Sequence, residues 1–185
     1  MTFIIIEILK SKNRNYIYNE NNFENNNDNL NNNKSQNYLK DILDNLKEFN
    51  CEYKSVNYLA HSLQEGNNKN RNWNWKDKNF KYSEERSEKQ PGYIGSYCMD
   101  CLSMALHVLY TTHNFTDAIM KAVNLCGDAD SIGSVVGQIA GAYYGLDSIP
   151  KDWIKTINKW DQNEIALRGY ILFHLDNYYI NNKIS

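Results

Sequence analysis

Two carboxylates and a hydroxyl fall within four residues in the run Gly127-Asp128-Ala129-Asp130-Ser131-Ile132-Gly133. The run lies at a turn that leads into a helix. Hard cations such as Mg2+ take oxygen ligands in near-octahedral geometry and accept carboxylates beside retained water. Asp128, Asp130 and Ser131 offer three such oxygens from one turn, which is half of a site. The same residues also have a structural explanation. Asp and Ser are favoured N-caps, and acidic side chains suit the positive end of a helix dipole. Spacing alone leaves both explanations open.

The helix after this turn carries Gly133, Gly137, Gly141 and Gly145 at every fourth position, a bare stripe along one side. Each interior glycine costs about 1 kcal/mol relative to alanine. The stripe therefore predicts that another helix or a ligand approaches the backbone very closely. Helix packing accounts for most of it, and a helix held that rigidly would fix a ligand turn in place. Cys98-Met99-Asp100-Cys101 is a Cys-x-x-Cys, but a structural zinc needs a second ligand pair, and Cys51 and Cys126 stand alone. A redox pair of the usual kind follows a strand, so two buried cysteines one helical turn apart are the expectation. His107 and His113 are too far apart in register for joint ligation. Neither a Ser-His-Asp arrangement nor a phosphate-cradling glycine loop occurs. The sequence by itself assigns no catalytic residue.

The elements that must position these residues read as helices. Leu39, Ile42, Leu43, Leu46 and Phe49 recur at three- and four-residue steps, and Val56, Leu59, Ala60 and Leu63 repeat the pattern before Gly66. Residues 67–90 are polar and irregular around Trp73, Trp75, Phe80 and Tyr82, and read as a long ordered loop or an inserted linker ending at Pro91-Gly92. A helix is predicted from Tyr97 to about Tyr110, with Cys101, Leu102, Ala105, Leu106 and Leu109 inward. Asn114 caps the next, which ends at Gly127, and a third runs from about Ser131 to Tyr144. Pro150 opens a short helix with Trp153 and Ile157. Asp161 and Glu164 form a variant capping box for a last helix with Ile165, Leu167, Ile171, Leu172 and Leu175. The expected fold class is all-α.

Composition bounds the rest. The 185 residues suit one domain, with 42% hydrophobic and 23% charged residues and a net charge of -2. No basic excess exists to neutralise phosphates, so nucleic-acid binding is not expected. Mean hydropathy is -0.69, and no apolar run nears the length of a membrane span. Four cysteines are too sparse for a disulfide scaffold and point to a reducing, cytoplasmic compartment. Asparagine fills 29 positions, thirteen of them between Asn13 and Asn37. Such a tract cannot bury enough apolar surface to offset its ordering entropy. Residues 1–37 are therefore expected to be low-complexity and largely disordered, with the helical domain over 38–180.

The residues from Gly92-Tyr93-Ile94-Gly95-Ser96-Tyr97 through the following helix resemble the C-terminal half of ADP-ribosylglycohydrolases. So do Ala122 to Ser131, the segment Gly137-Gln138-Ile139-Ala140-Gly141-Ala142-Tyr143-Tyr144-Gly145, Ile149-Pro150 and Trp153. The resemblance covers about Trp73 to Trp153, in the family's order and spacing. It implies an all-α enzyme with a binuclear Mg2+ site that removes ADP-ribose from modified side chains or related ADP-ribose linkages. It implies Asp128, Asp130 and Ser131 as metal ligands, with serine keeping the hydroxyl of the family's usual threonine. Gly92, Tyr93, Gly95, Ser96 and Tyr97 would line the cleft for an ADP-ribose-containing substrate. The metals would orient ribose hydroxyls and acidify a water.

The family's other metal ligands come from an N-terminal Thr/Ser-Asp-Asp motif, and no Asp-Asp pair occurs in this sequence. The domain therefore reads as apparently truncated, and the chain alone is expected to bind Mg2+ weakly and to catalyse poorly or not at all. Two expectations follow: the C-terminal half of such a hydrolase, completed by an upstream or separate N-terminal half, or a degenerate, non-catalytic helical domain that binds ADP-ribose or a protein partner.

Overall fold

The computed structural model describes residues 1, 3–10, 39–63, 72–80, 97–125 and 127–182, with side chains at 173 and beyond 175 left aside. Among these there are helices and turns and no strand, so the fold is all-α. The chain divides into two compact units, Met1–Ser148 and Ile149–Ser185.

In the first unit, α1 spans 3–10 and α2 spans 39–45, continued by a 3-10 turn at Leu46–Glu48. They are followed by α3 (Lys54–Ala60), α4 (Cys98–Thr111), α5 (Phe115–Val123) and α6 (Ala129–Tyr144). Ile4 and Ile8 of α1 are buried, and Phe3 meets Phe49 with ring centroids 5.5 Å apart. Ordered helix thus exists upstream of Tyr38, where the sequence places the start of the folded material; the remainder of the Asn-rich tract, 11–38, lies outside the described residues. Leu39, Ile42, Leu43 and Leu46 are buried together, as their spacing predicts.

Helix α4 is the centre of this unit. Asp100, Cys101 and every residue from Ser103 to Leu109 are buried, so the helix is enclosed on nearly all sides, as a core helix must be. Of the 67–90 stretch, residues 72–80 pack against the helices, and 67–71 and 81–90 lie outside the described residues. Trp73 and Trp75 are fully buried, and the indole of Trp75 donates to the Leu59 carbonyl at 2.7 Å.

The Trp75 carbonyl faces His107 Nδ1 at 2.9 Å. A carbonyl only accepts, so Nδ1 carries the proton. Burial pushes the His107 pKa below its ordinary 6.5, with Lys121 acting the same way and the Trp75 bond and Asp77 opposing. The unfolded chain therefore binds this proton more readily. Stability from this group is present above about pH 6.5 and is lost as pH falls through the lower folded value. The expected result is that acidification to about pH 5 lowers the urea midpoint more for the wild type than for His107→Gln.

Asn114 caps α5 as predicted, its side-chain oxygen accepting from Asp117 N at 2.8 Å. Helices α5 and α6 pack on each other along the glycine stripe, but not at unusually short range. A Cβ on Gly133 would meet Val123 Cγ1 at 3.5 Å, and one on Gly137 would meet Ile119 Cδ1 at 3.7 Å. These are ordinary contacts, and nothing lies within 4 Å of Gly141. The very close approach expected from the sequence is not what the stripe does. Gly145 instead ends α6 at a φ of 83°, which suits glycine. Gly141→Ala is accordingly expected to raise stability by about 0.5–1 kcal/mol in urea denaturation.

The second unit holds α7 (Lys151–Asp161) and α8 (Glu164–Asn182). Gln162 and Asn163 between them are both left-handed, at φ 57° and 66°. Asp161 accepts from Asn163 N and Ile165 N, whereas Glu164 pairs with Arg168 rather than reaching back to complete a box. Trp160, Ile165, Leu167, Tyr170 and Leu172 are all more than half exposed, an apolar surface that the described residues leave uncovered.

Candidate functional site

The acidic turn lies between α5 and α6. Gly127 adopts a φ of 67°, a left-handed conformation that reverses the chain at the cost of no side-chain clash. Asp128 then occupies the N-cap position of α6, and its carbonyl accepts the first helical bond from Ile132 N at 3.3 Å.

Its carboxylate does not cap. No helix N–H reaches the Asp128 side chain; instead Ser131 Oγ donates to Asp128 Oδ1 at 3.0 Å. Asp128 is half-buried, and Asp130 and Ser131 are exposed. Two carboxylates and a hydroxyl therefore stand at one helix end, with the Asp128 carboxylate bonded to the Ser131 hydroxyl and not to a helix N–H. The donor set consists of hard oxygens, which suits Mg2+. It is also short, because no group of three or more His, Cys, Asp or Glu residues that could hold a metal ion occurs among the described residues.

Of the Gly-Tyr segment, Gly92, Tyr93, Gly95 and Ser96 lie outside the described residues. Tyr97 is exposed and stands at the head of α4, where its carbonyl accepts from Asp100 N at 2.9 Å and Cys101 N at 3.0 Å. The same helical turn lies within electrostatic reach of the acidic turn. Burial pushes the Cys101 thiol up to about 11, and the negative charges of Asp128, Cys98 and Asp100 push in the same direction. Asp128 thus lies within electrostatic reach of Cys101 in the first turn of α4.

One residue of this turn escaped the sequence reading. Asp100 is 2% exposed and accepts from the indole Nε1 of Trp73 at 2.7 Å, joining the 72–80 loop to the first turn of α4. The signal was available, since an acidic residue in an otherwise apolar helix must find a donor. Cys98 also differs from expectation. It is exposed while Cys101 is 6% exposed, so the two are not a pair of buried cysteines. A cavity of about 460 Å³ opens elsewhere, lined by Phe3, Glu7, Ile42, Phe49 and neighbours, and no residue of the acidic turn lines it.

Known proteins match part of this chain. An ADP-ribosylarginine hydrolase, Tri1 of Serratia proteamaculans, is 47% identical over 93 residues, covering 49% of this chain and 25% of that protein. The ADP-ribosyl-[dinitrogen reductase] glycohydrolase of Rhodospirillum rubrum is 35% identical over 78 residues, 42% of this chain and 26% of that protein. The ADP-ribosylhydrolase ARH3 of Homo sapiens is 29% identical over 74 residues, 40% of this chain and 20% of that protein. The chain thus spans about a quarter or less of the length of these three relatives. No solved structure matches it. The family model for ADP-ribosylglycohydrolase matches residues 27–177, a longer stretch than the one that carries the resemblance by eye. This chain belongs to the ADP-ribosylglycohydrolase family.

Proposed function

We propose that this chain supplies the C-terminal, metal-binding half of an Mg2+-dependent hydrolase that removes ADP-ribose from modified side chains or related linkages. The observation that carries the reading is the Asp128 carboxylate, which sits at a helix cap without capping and holds Ser131 in place. A residue retained only as a cap would direct its oxygen to a backbone N–H. Arginine-linked ADP-ribose is the first substrate to test, because a relative at 47% identity is an ADP-ribosylarginine hydrolase.

Asp128, Asp130 and Ser131 would hold the cation, which when bound supplies charge neutralisation and Lewis acidity at the ribose. The chain's own part is to hold the Asp128, Asp130 and Ser131 oxygens together at the head of α6. Ser131 holds Asp128 Oδ1 by its hydroxyl proton and leaves the other carboxylate oxygen for a ligand. The remaining ligands and the catalytic residues would come from a Thr/Ser-Asp-Asp segment outside this sequence. The exposed apolar residues of α8 are consistent with further chain packing there.

A second reading rests on the short donor set: a non-catalytic domain that binds ADP-ribose or a protein partner. Detection of the native protein through its C-terminus separates the two. A species well above 21.7 kDa that releases ADP-ribose from an arginine-modified peptide supports the hydrolase. A 21.7 kDa species that releases none, and gains no activity from any co-purifying chain, overturns it in favour of the binding domain.

A further inference from the structure

Cys98 and Cys101 are both free thiols on the first turn of α4, and they are unlike in a way that matters for chemistry. Cys98 is exposed at the first helical position, and Cys101 is buried one turn later. We infer that Cys98 and Cys101 form a reversible intramolecular disulfide, with Cys98 the thiol that meets a dissolved oxidant and Cys101 the thiol that resolves the adduct. This site goes beyond the hydrolase reading and does not depend on it.

The bond requires the two Cβ atoms to draw together at the start of the helix. Side chains three apart on a helix have Cβ atoms about 5–6 Å apart, and a disulfide needs about 3.5–4.5 Å. The first turn of α4 is already tight, because Asp100 N and Cys101 N both donate to the Tyr97 carbonyl, at 2.9 and 3.0 Å. The first of these is a 3-10 bond over residues 97–100, so the backbone winds more tightly than an α-helix where Cys98 enters it. Cys98 is also among the residues whose N–H has no intrahelical acceptor, so its backbone can adjust without breaking the helix. Metal binding by the pair has no support, since no third ligand of the right kind joins them among the described residues.

The chemistry balances with a small-molecule disulfide as oxidant. The Cys98 sulfur, having lost its proton to solvent, attacks glutathione disulfide, forming a mixed disulfide and releasing one glutathione thiolate, which takes up a proton. The Cys101 sulfur then attacks the Cys98 sulfur, closing the intramolecular bond and expelling the second glutathione. Two protein thiols are oxidised, and one disulfide is reduced to two thiols. Burial holds the Cys101 proton tightly, so this second step is the slower one, and its advantage is that it is intramolecular, the Cys101 proton passing to the departing glutathione.

The test uses the full chain equilibrated in glutathione buffers of increasing oxidising strength, then alkylated and digested with trypsin. Cleavage leaves Cys98 and Cys101 together in the peptide 90–121, with Cys51 and Cys126 in two others. The expected result is a 90–121 peptide that loses two hydrogens, resists alkylation and recovers both thiols on reduction, while Cys51 stays alkylated. In Cys101→Ala the glutathione adduct on Cys98 accumulates, and in Cys98→Ser the Cys101 thiol stays reduced. Two outcomes overturn the inference: both thiols remain alkylated at every ratio, or the wild type stops at the Cys98 adduct. If Cys101→Ala fails to fold, the adduct distribution of the wild type and of Cys98→Ser still decides, because Cys98 is exposed and its replacement leaves the core intact.

Discussion

Replacing Trp75 by alanine is expected to cost the first unit about 3–5 kcal/mol, the largest stability effect of any single change considered for this chain. Trp75 is fully buried, so the indole leaves a cavity that rigid helix neighbours fill only in part. Its ring also meets Tyr110 edge-on at 5.6 Å, a contact of the kind aromatic pairs favour. The lost indole N–H also removes a 2.7 Å bond to the Leu59 carbonyl, which keeps the Ser62 N–H at 3.1 Å. One lost hydrogen bond adds about 0.5–1.5 kcal/mol. Since a domain is stable by only about 5–15 kcal/mol in total, urea denaturation should show a midpoint reduced by a third or more. Trp75→Phe separates the contributions in part, because it keeps an aromatic ring while removing the hydrogen bond and some of the buried volume. It is expected to cost about 1–3 kcal/mol. Equal losses for the two variants would mean that the hydrogen bond, not the packing, holds the loop.

The helices were legible because burial has a period. Leu39, Ile42, Leu43 and Leu46 repeat at helical steps and are buried together, and the Asn114 cap is a local event spelled out by residues three apart. Trp75 was harder. It lies in a polar stretch with no period, and what makes it core is its pairing with Leu59 and His107, both distant in sequence. The Asp100–Trp73 bond was missed for the same reason. The glycine stripe showed which face of α6 packs, but sequence could not give the distance, which the neighbouring Val123 and Ile119 side chains set at ordinary contact. The split exposure of Cys98 and Cys101 was invisible as well, because one residue of the pair sits before the helix enters the core. At the acidic turn, residue types gave the oxygens but not their orientation. Asp128 has φ -83° and ψ 49°, away from the extended backbone at φ -150° and ψ 166° from which Asn114 caps, and residue type does not specify that difference.

That geometry makes two properties of Asp128 separable. Asp128→Asn is expected to leave the urea midpoint within about 0.5 kcal/mol of wild type, because Asn serves at a helix N-cap as well as Asp and no capping bond is there to lose. The loss of one charge at the helix N-terminus is an exposed, screened effect of similar size. Divalent-cation binding should respond far more strongly. Removing one anionic ligand of three oxygens is expected to weaken Mn2+ binding by at least about tenfold, read as lost paramagnetic broadening of the Gly127 to Ser131 amide signals. Asp130→Asn should do the same, and the double variant should bind no metal in the millimolar range. Ser131→Thr keeps the hydroxyl and should bind as the wild type does. Ser131→Ala should fall between, because Asp128 Oδ1 loses the 3.0 Å bond that orients it. In the native protein captured through its C-terminus, the same order is expected for release of ADP-ribose, with Asp128→Asn slower by about a hundredfold or more. If instead Asp128→Asn lowers stability by about 1 kcal/mol or more and leaves metal broadening unchanged, the turn is a helix cap and the metal reading is wrong.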